Sequence, residues 1–284
     1  FFFQAEDGIR DCLLSRGLGD VYKRQFQNNP NVNVVTKKVS RVDVAYDRTI
    51  DLSSINYGSY IPIHKSAEQI AKIVVSDPRP RLHMKREELE RGYRKVEEAK
   101  NKAETVAAVS LLMSRVSWQG RTWTVDHAAS LVQMLEEAGI ATVEIGKNIP
   151  SVEVATVNLI DQTTLRELFA VIANCDIFIG VDSLAMHVAA AFSKPSYVLF
   201  GATEPVSRVV DFSTTFAIRN EGLACLGCYQ KKGVPGFNTC DLGLEVCMRN
   251  LDPELVYLYI TGEIDVKEAN LTYLQDYIWK GGRI

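Results

Sequence analysis

The stretch TLRELFAVIANCDIFIGVDSLAMHVAAAFSKPSYVLFGATEP, residues 164–205, decides the fold. Thr164 followed by Glu167 is a capping box, a pairing that satisfies the free N–H groups at a helix start. The helix it opens places Leu165, Leu168, Phe169 and Ile172 on one stripe. Residues 176–179 then form an apolar run of strand length, residues 184–192 a short apolar helix, and residues 197–200 a further strand. The same alternation continues upstream. Residues 106–113 read as a strand, and residues 125–138 as a helix with Ala128, Leu131, Val132 and Leu135 on one face and Gly139 at its close. Residues 140–145 are the next strand. Nearly continuous apolar strands joined by amphipathic helices predict an α/β fold, a doubly wound parallel sheet covered on both faces, over residues 104–260.

Further upstream the text changes character. Residues 85–104 are a charged helical stretch with opposite charges at helical spacing, such as Glu87 with Arg91 and Glu90 with Arg94, which reads as a solvated face. A domain boundary is expected near residue 104. Residues 66–75 place Ile70, Ile73 and Val74 at helical spacing before Pro78 and Pro80 break the chain. Short β-prone runs at 32–35, 42–45 and 48–52 make residues 26–103 the later part of an incomplete N-terminal α/β domain followed by a linker helix. Residues 261–284 are a tail. Residues 1–25 show no clear periodicity, resemble translated sequencing-adapter read-through, and are set aside from fold reasoning.

Ligands of open parallel sheets bind outside the carboxyl ends of the strands, so chemistry is sought in the turns that follow them. After the first strand come Ser114 and Arg115, then Gly120 and Arg121; after the second, Gly146 and Lys147. After the third come Gly180, Asp182 and Ser183, and after the fourth Gly201, Thr203, Glu204 and Pro205. Each turn alone is ordinary turn chemistry. Together, glycines that admit close approach, hydroxyls, guanidiniums and helix N-termini suit a diphosphate. His187, near the start of an apolar helix, reads equally as a packed core histidine or as a ligand contact.

The order of these segments closely resembles the C-terminal half of the heptosyltransferase-like enzymes of glycosyltransferase family 9. The likeness runs through the helix from Thr164 to Leu168, the strand ending at Gly180, the run from Asp182 and Ser183 through His187 to Ala191, and Phe200 to Pro205; Arg121-Thr122-Trp123 and four downstream cysteines add to it. The resemblance implies a two-domain GT-B fold and an inverting transfer from a nucleotide-diphospho-sugar, often ADP-heptose, to a lipopolysaccharide-core or related glycan or lipid-linked acceptor, with no cofactor required for catalysis. It further implies that Ser114, Arg121, Asp182, Ser183, His187, Thr203 and Glu204 form the donor site. Two departures follow from it. The loop after Gly146 is shorter than the family's acidic segment that helps to hold the nucleoside, and Glu153 is a poor substitute. Gly17-Leu18-Gly19-Asp20-Val21 looks like the family's opening motif, but nine residues between Asp20 and Pro30 are too few for the helix that should follow. The catalytic acid-base residue is therefore expected to be missing from this chain.

Cys225, Cys228, Cys240 and Cys247 fall in one short stretch. Thiolates so spaced suit a structural tetrahedral zinc, and free thiols remain an equal reading; a catalytic metal does not follow, since no open coordination position is suggested.

A formal charge of −3 gives no support for non-specific nucleic-acid binding. No apolar run approaches the ~20 residues of a membrane-spanning helix, and no signal-peptide pattern opens the chain. A cytoplasmic protein is expected, with at most peripheral contact at the inner face of the plasma membrane. A non-catalytic nucleotide-binding or zinc-stapled interaction module is the alternative. A dinucleotide-dependent dehydrogenase ranks last, because no G-x-G-x-x-G opens a helix after the first strand.

Overall fold

The computed structural model describes residues 28–30, 60–72, 74–114, 119–221, 223–229, 240, 242 and 245–263. The β-prone runs at 32–35, 42–45 and 48–52 and the Gly17–Val21 segment lie outside the described residues. In chain order the elements are α1 (Ile63–Ala71), α2 (Arg86–Lys102), β1 (Thr105–Ser110), α3 (Val125–Glu137), β2 (Ile140–Glu144), β3 (Val157–Asn158) and α4 (Leu165–Asn174). They continue with β4 (Ile177–Val181), α5 (Leu184–Ala191), β5 (Ser196–Leu199), β6 (Thr215–Ile218), α6 (Val246–Arg249) and α7 (Pro253–Thr261).

The six strands form one sheet in the order β3-β2-β1-β4-β5-β6, and every pairing is parallel. This is the doubly wound arrangement expected from the sequence, with a switch point where the order reverses between β1 and β4. Alternate strand residues feed two cores, as the two-residue pleat requires. Val106 and Ala108 of β1 and Phe178 of β4 pack under α2, α4 and α5. Ala107 and Val109 with Ile179 and Val181 pack under α3, α6 and α7. Burial on both faces is why the strands read as continuous rather than alternating apolar runs.

Local signals place the helices. Thr164 caps α4, with its hydroxyl accepting from the Glu167 N–H while the Glu167 carboxylate accepts from the Thr164 N–H at 2.8 Å. Thr124 caps α3 by accepting from the His127 N–H. Two short strands were not foreseen: β3 at the sheet edge and β6, which pairs with β5 from Ser196↔Thr215 to Leu199↔Ile218.

Helix α2 differs from its expected role as a solvated element. Val96 and Ala99 enter the same core as Phe169 and Ile172 of α4. Glu88 and Arg166 form a buried ion pair across the two helices at 2.6 Å, and Arg166 also donates to the His83 carbonyl. A Cβ on Gly92 would lie 2.5 Å from the backbone of Ala170, so the two helices touch where α2 has no side chain. The packing thus runs across residue 104. The charged pairs along α2 mark its outer face, and the inner seam is made of small or paired residues.

Candidate functional site

At the carboxyl edge of the sheet, beside the switch point, the loops after β1, β4 and β5 meet. Asp182 follows β4 directly and is 1% exposed. Its carboxylate Oδ2 accepts from the Thr203 hydroxyl at 2.8 Å and lies 3.6 Å from Arg121 Nε and 3.8 Å from Arg208 Nε. Arg121 also donates through Nε, at 3.0 Å, and through Nη2 to the Asp182 backbone carbonyl. A single fork therefore ties the β1 loop to the β4 loop. Burial alone would raise the Asp182 pKa, but Arg121, then Arg208, then the Thr203 hydroxyl outweigh it and hold the carboxyl below its ordinary range.

Ser183 is the N-cap residue of α5, yet its hydroxyl makes no capping bond. Its Oγ and Asp182 Oδ1 are both buried and have no hydrogen-bond partner among the described residues. Buried polar atoms are nearly always satisfied, so these two, on adjacent residues at a helix N-terminus, can bond to polar atoms from outside the protein, whether of water or of a ligand. One turn into α5, His187 is buried edge-on against Phe212, ring centroids 5.9 Å apart. Burial lowers its pKa to about 4 against the opposing pull of Asp182, so the imidazole is neutral at pH 7.

The loop after β5 carries the rest. Glu204 is buried and paired with Arg219 at 3.0 Å. The 3₁₀ turn Pro205–Ser207 then brings Arg208 back toward Asp182. Ala202 donates to the Gly120 carbonyl at 3.0 Å, which joins this loop to the one after β1. Ser114 lies on the stretch following β1, at the same edge. The segment before α1 and the first turn of that helix approach from outside: burial and then Glu204 raise the Tyr60 pKa, and His64 Nε2 of α1 lies 3.4 Å from Asp211.

Of the residues expected from the sequence, Arg121, Asp182 and Thr203 share one hydrogen-bonded cluster, with Ser183 and His187 adjoining it on α5. Glu204 sits next to the cluster but faces Arg219. Arg208, Arg219 and Tyr229 were not foreseen. A single arginine three residues past Pro205 carries no periodic or motif signal, and only the fold of the loop reveals its partner.

At the end of β2, Glu144 is likewise engaged within the protein. It accepts from the Ser151 hydroxyl at 2.7 Å and from the Val152 N–H at 3.0 Å, and so fixes the short loop after Gly146.

The sequence pattern of glycosyltransferase family 9 (heptosyltransferase) matches residues 44–210, more than half of the chain. The chain belongs to this family. Among curated members, the Lipooligosaccharide heptosyltransferase 2 of Campylobacter jejuni is 36% identical over 106 residues, which is 35% of this chain and 29% of the relative. The match thus spans less than a third of that relative's length. Among solved structures, the ADP-heptose lps heptosyltransferase II of E. coli aligns with 81% of this chain and 65% of its own, at 17% identity and a TM-score of 0.51. The family 9 glycosyltransferase of Veillonella parvula aligns with 74% of this chain and 60% of its own, at 16% identity and the same TM-score of 0.51. These likenesses carry the fold, which is α/β and of GT-B type.

The family match ends at Val210, so the four clustered cysteines lie beyond it. Cys225 and Cys247 are free thiols. Among the described residues, no three His, Cys, Asp or Glu side chains are gathered closely enough to hold a metal ion. The structural zinc that the spacing suggested is therefore unsupported, and of the four thiols Cys247 is the buried one. Its sulfur is turned into the protein against Gly201, and burial, reinforced by Cys228 and Cys225, pushes its pKa up to about 12. Among the described residues no helix is long and apolar enough to cross a membrane.

Proposed function

We propose that this chain carries the donor-binding part of an inverting glycosyltransferase. It would move a sugar, heptose being the first candidate, from a nucleotide-diphospho-sugar to a lipopolysaccharide-core or related acceptor. The observation that carries this reading is the convergence of Arg121 and Thr203 on Asp182 at the switch point, with Ser183 Oγ and Asp182 Oδ1 left without a protein partner among the described residues. In this reading the diphosphate sits over the N-terminus of α5, where Ser183 and the first helical N–H groups point, and Arg121 supplies a fixed cation. Asp182 Oδ1 accepts from a sugar hydroxyl. Ser114, Thr203 and Glu204 complete the rim, and His187 backs Asp182 as a neutral imidazole.

The chemistry would be a displacement at the anomeric carbon. The acceptor oxygen forms the new glycosidic bond as the bond to the diphosphate breaks, and the acceptor proton passes to a base. Negative charge grows on the departing diphosphate, where preorganised donors and cations lower the barrier most. Transfer in this scheme needs no metal or other cofactor, because guanidinium and N–H groups answer that charge. No described residue is assigned as the base, which belongs to the acceptor-side part. The names of the relatives, a lipooligosaccharide heptosyltransferase and an ADP-heptose lps heptosyltransferase, point to ADP-heptose as the donor to try first. We place its action at the cytoplasmic face of the membrane, with peripheral contact at most.

A thermal-shift series with ADP, GDP, UDP and ADP-heptose tests the reading. At a hundredfold excess over Kd a single-site ligand stabilises by about 2.7 kcal/mol, which raises the melting temperature of a domain of this size by several degrees. The expected result is a rise with ADP and ADP-heptose, followed by transfer of labelled heptose to a lipopolysaccharide-core acceptor. No rise with any nucleoside diphosphate overturns the donor-site reading. A rise with no transfer, even when a complete acceptor-side domain is supplied, favours a nucleotide-binding module.

A further inference from the structure

Helix α1 has little of its own to hold it in place. It is nine residues long, too short for an isolated helix to persist in water, and Pro62 at its N-cap has no side-chain group that could cap it. Its inner face is the stripe His64, Ala67 and Ala71 at helical spacing, and the two alanines are 4% and 2% exposed. Two methyl groups bury little apolar area, so this face admits close approach without supplying much stabilisation. The third member of the stripe is the imidazole of His64, 16% exposed, whose Nε2 lies 3.4 Å from Asp211 Oδ2.

Asp211 sits on the crossover from β5 to β6, the loop that also brings Thr203 and Arg208 to Asp182. Next to it, Phe212 packs edge-on against His187. The pair thus ties a helix that precedes the sheet unit to the loop after β5. The imidazole is mostly enclosed, whereas the Asp211 side chain is 38% exposed. A separation of 3.4 Å exceeds the ~2.7–2.9 Å of a charge-assisted hydrogen bond, and water around the carboxylate screens its charge. Burial therefore outweighs Asp211 and lowers the His64 pKa. On α1 itself, Lys65 opposes a positive imidazole and Glu68 favours it. Glu68 is already engaged by the Lys65 ammonium at 3.1 Å and by the Val75 N–H at 2.7 Å. Among the described residues, Asp211, Lys65 and Glu68 are the charged groups that act on His64.

We propose that the His64 imidazole, seated against Asp211, is a proton-sensitive latch that holds α1 on the β5–β6 crossover near neutral pH and releases it in mild acid. Release lets water reach the imidazole, which then protonates more readily than in the closed state. The open form therefore binds more protons, so closure is complete above the 6.5 of a free imidazole and weakens as the pH falls below it. Asp211 moderates that loss, because it favours the imidazolium in the closed state. The latch stands on this contact and does not depend on reading the cluster as a donor site. Opening it takes one outer contact from the loop that carries Thr203 and Arg208.

Hydrogen–deuterium exchange of the full chain at about pH 7.5 and pH 5.5, corrected for the intrinsic rate at each pH, reads the latch as the protection of the helical amides of 66–72. Wild type should lose protection there by about two- to tenfold at the lower pH, roughly tenfold being the limit for one group with an ordinary pKa of 6.5. His64→Gln should hold its protection within about twofold between the two conditions. Asp211→Asn, which removes the group that opposes burial, should lose more in acid than wild type does; a contact that served packing alone would not give that result. Equal protection of wild type at both pH values overturns the proposal, as does an undiminished acid loss in His64→Gln or a smaller one in Asp211→Asn. Should either variant fail to fold, NMR titration of the His64 C2 proton in wild type decides. A midpoint below 6.5 is expected, and one at or above it overturns the latch.

Discussion

His187 is buried where protonation is opposed by its surroundings, and that gives the protein a measurable acid sensitivity. Burial is the largest effect, Asp182 resists it, and Arg208 and Arg121 add to it, which brings the pKa from 6.5 to about 4. A folded-state pKa below the unfolded one means that the unfolded chain binds more protons between those values. Stability from this residue is complete above pH 6.5 and declines as the pH falls toward 4, by a total on the order of 3 kcal/mol. His187→Gln should flatten the slope of unfolding free energy over that window, as read by urea titrations at several pH values. An unchanged slope would mean that the imidazole is not buried as described. The sequence left His187 open between core and ligand roles, because an apolar helix offers the same neighbours to both. What decides its state is Phe212, twenty-five residues away, and the two arginines across the sheet edge. The place of Asp182 in the cluster was legible from its position after a strand, whereas its second guanidinium, Arg208, was not.

Helix α2 shows where pattern reading at the level of elements succeeds and where it misses. Its extent was plain from the charged pairs at helical spacing, and its burial was not. The inward seam is Glu88, Gly92, Val96 and Ala99, one charge and three small or medium residues, which gives little apolar contrast with the outer face. Its complement on α4 includes a buried arginine, Arg166, whose charge is answered by Glu88. Close approach rather than apolar bulk joins these helices, and Gly92 is the point of closest approach. Replacing a mid-helix glycine by alanine ordinarily stabilises by about 1 kcal/mol. Here all three nearest atoms belong to Ala170, two of them backbone, so no flexible side chain can yield. Overpacking of that kind costs ~1–3 kcal/mol. Gly92→Ala should therefore destabilise, by about 1–2 kcal/mol, visible as a lower urea midpoint with an unchanged m-value. A stabilised variant would show that α2 and α4 are farther apart than described.

The molecule as a whole is organised by the switch in strand order between β1 and β4. That switch follows from right-handed crossovers placing α3 on one face and α4 on the other, which leaves a crevice at the carboxyl edge. Four of the six strands and their connecting helices were readable from apolar runs and turn residues. The edge strand β3 is two residues long, and β6 emerges from a loop with no periodic signal, so neither could be read from pattern alone. The limits of the sheet unit also shift: we place its start at Arg86 rather than near residue 104, since α2 supplies core to the same sheet.

We propose that the carboxyl edge of the sheet is the place where a nucleoside diphosphate binds. Hydrogen–deuterium exchange of the chain with and without saturating ADP tests this most directly. Slower exchange is predicted in peptides spanning 110–124, 180–190 and 200–208, with no change at the opposite edge around 138–140 and 193–196. Bound ADP that protects the opposite edge, or none of the three loops, would contradict it.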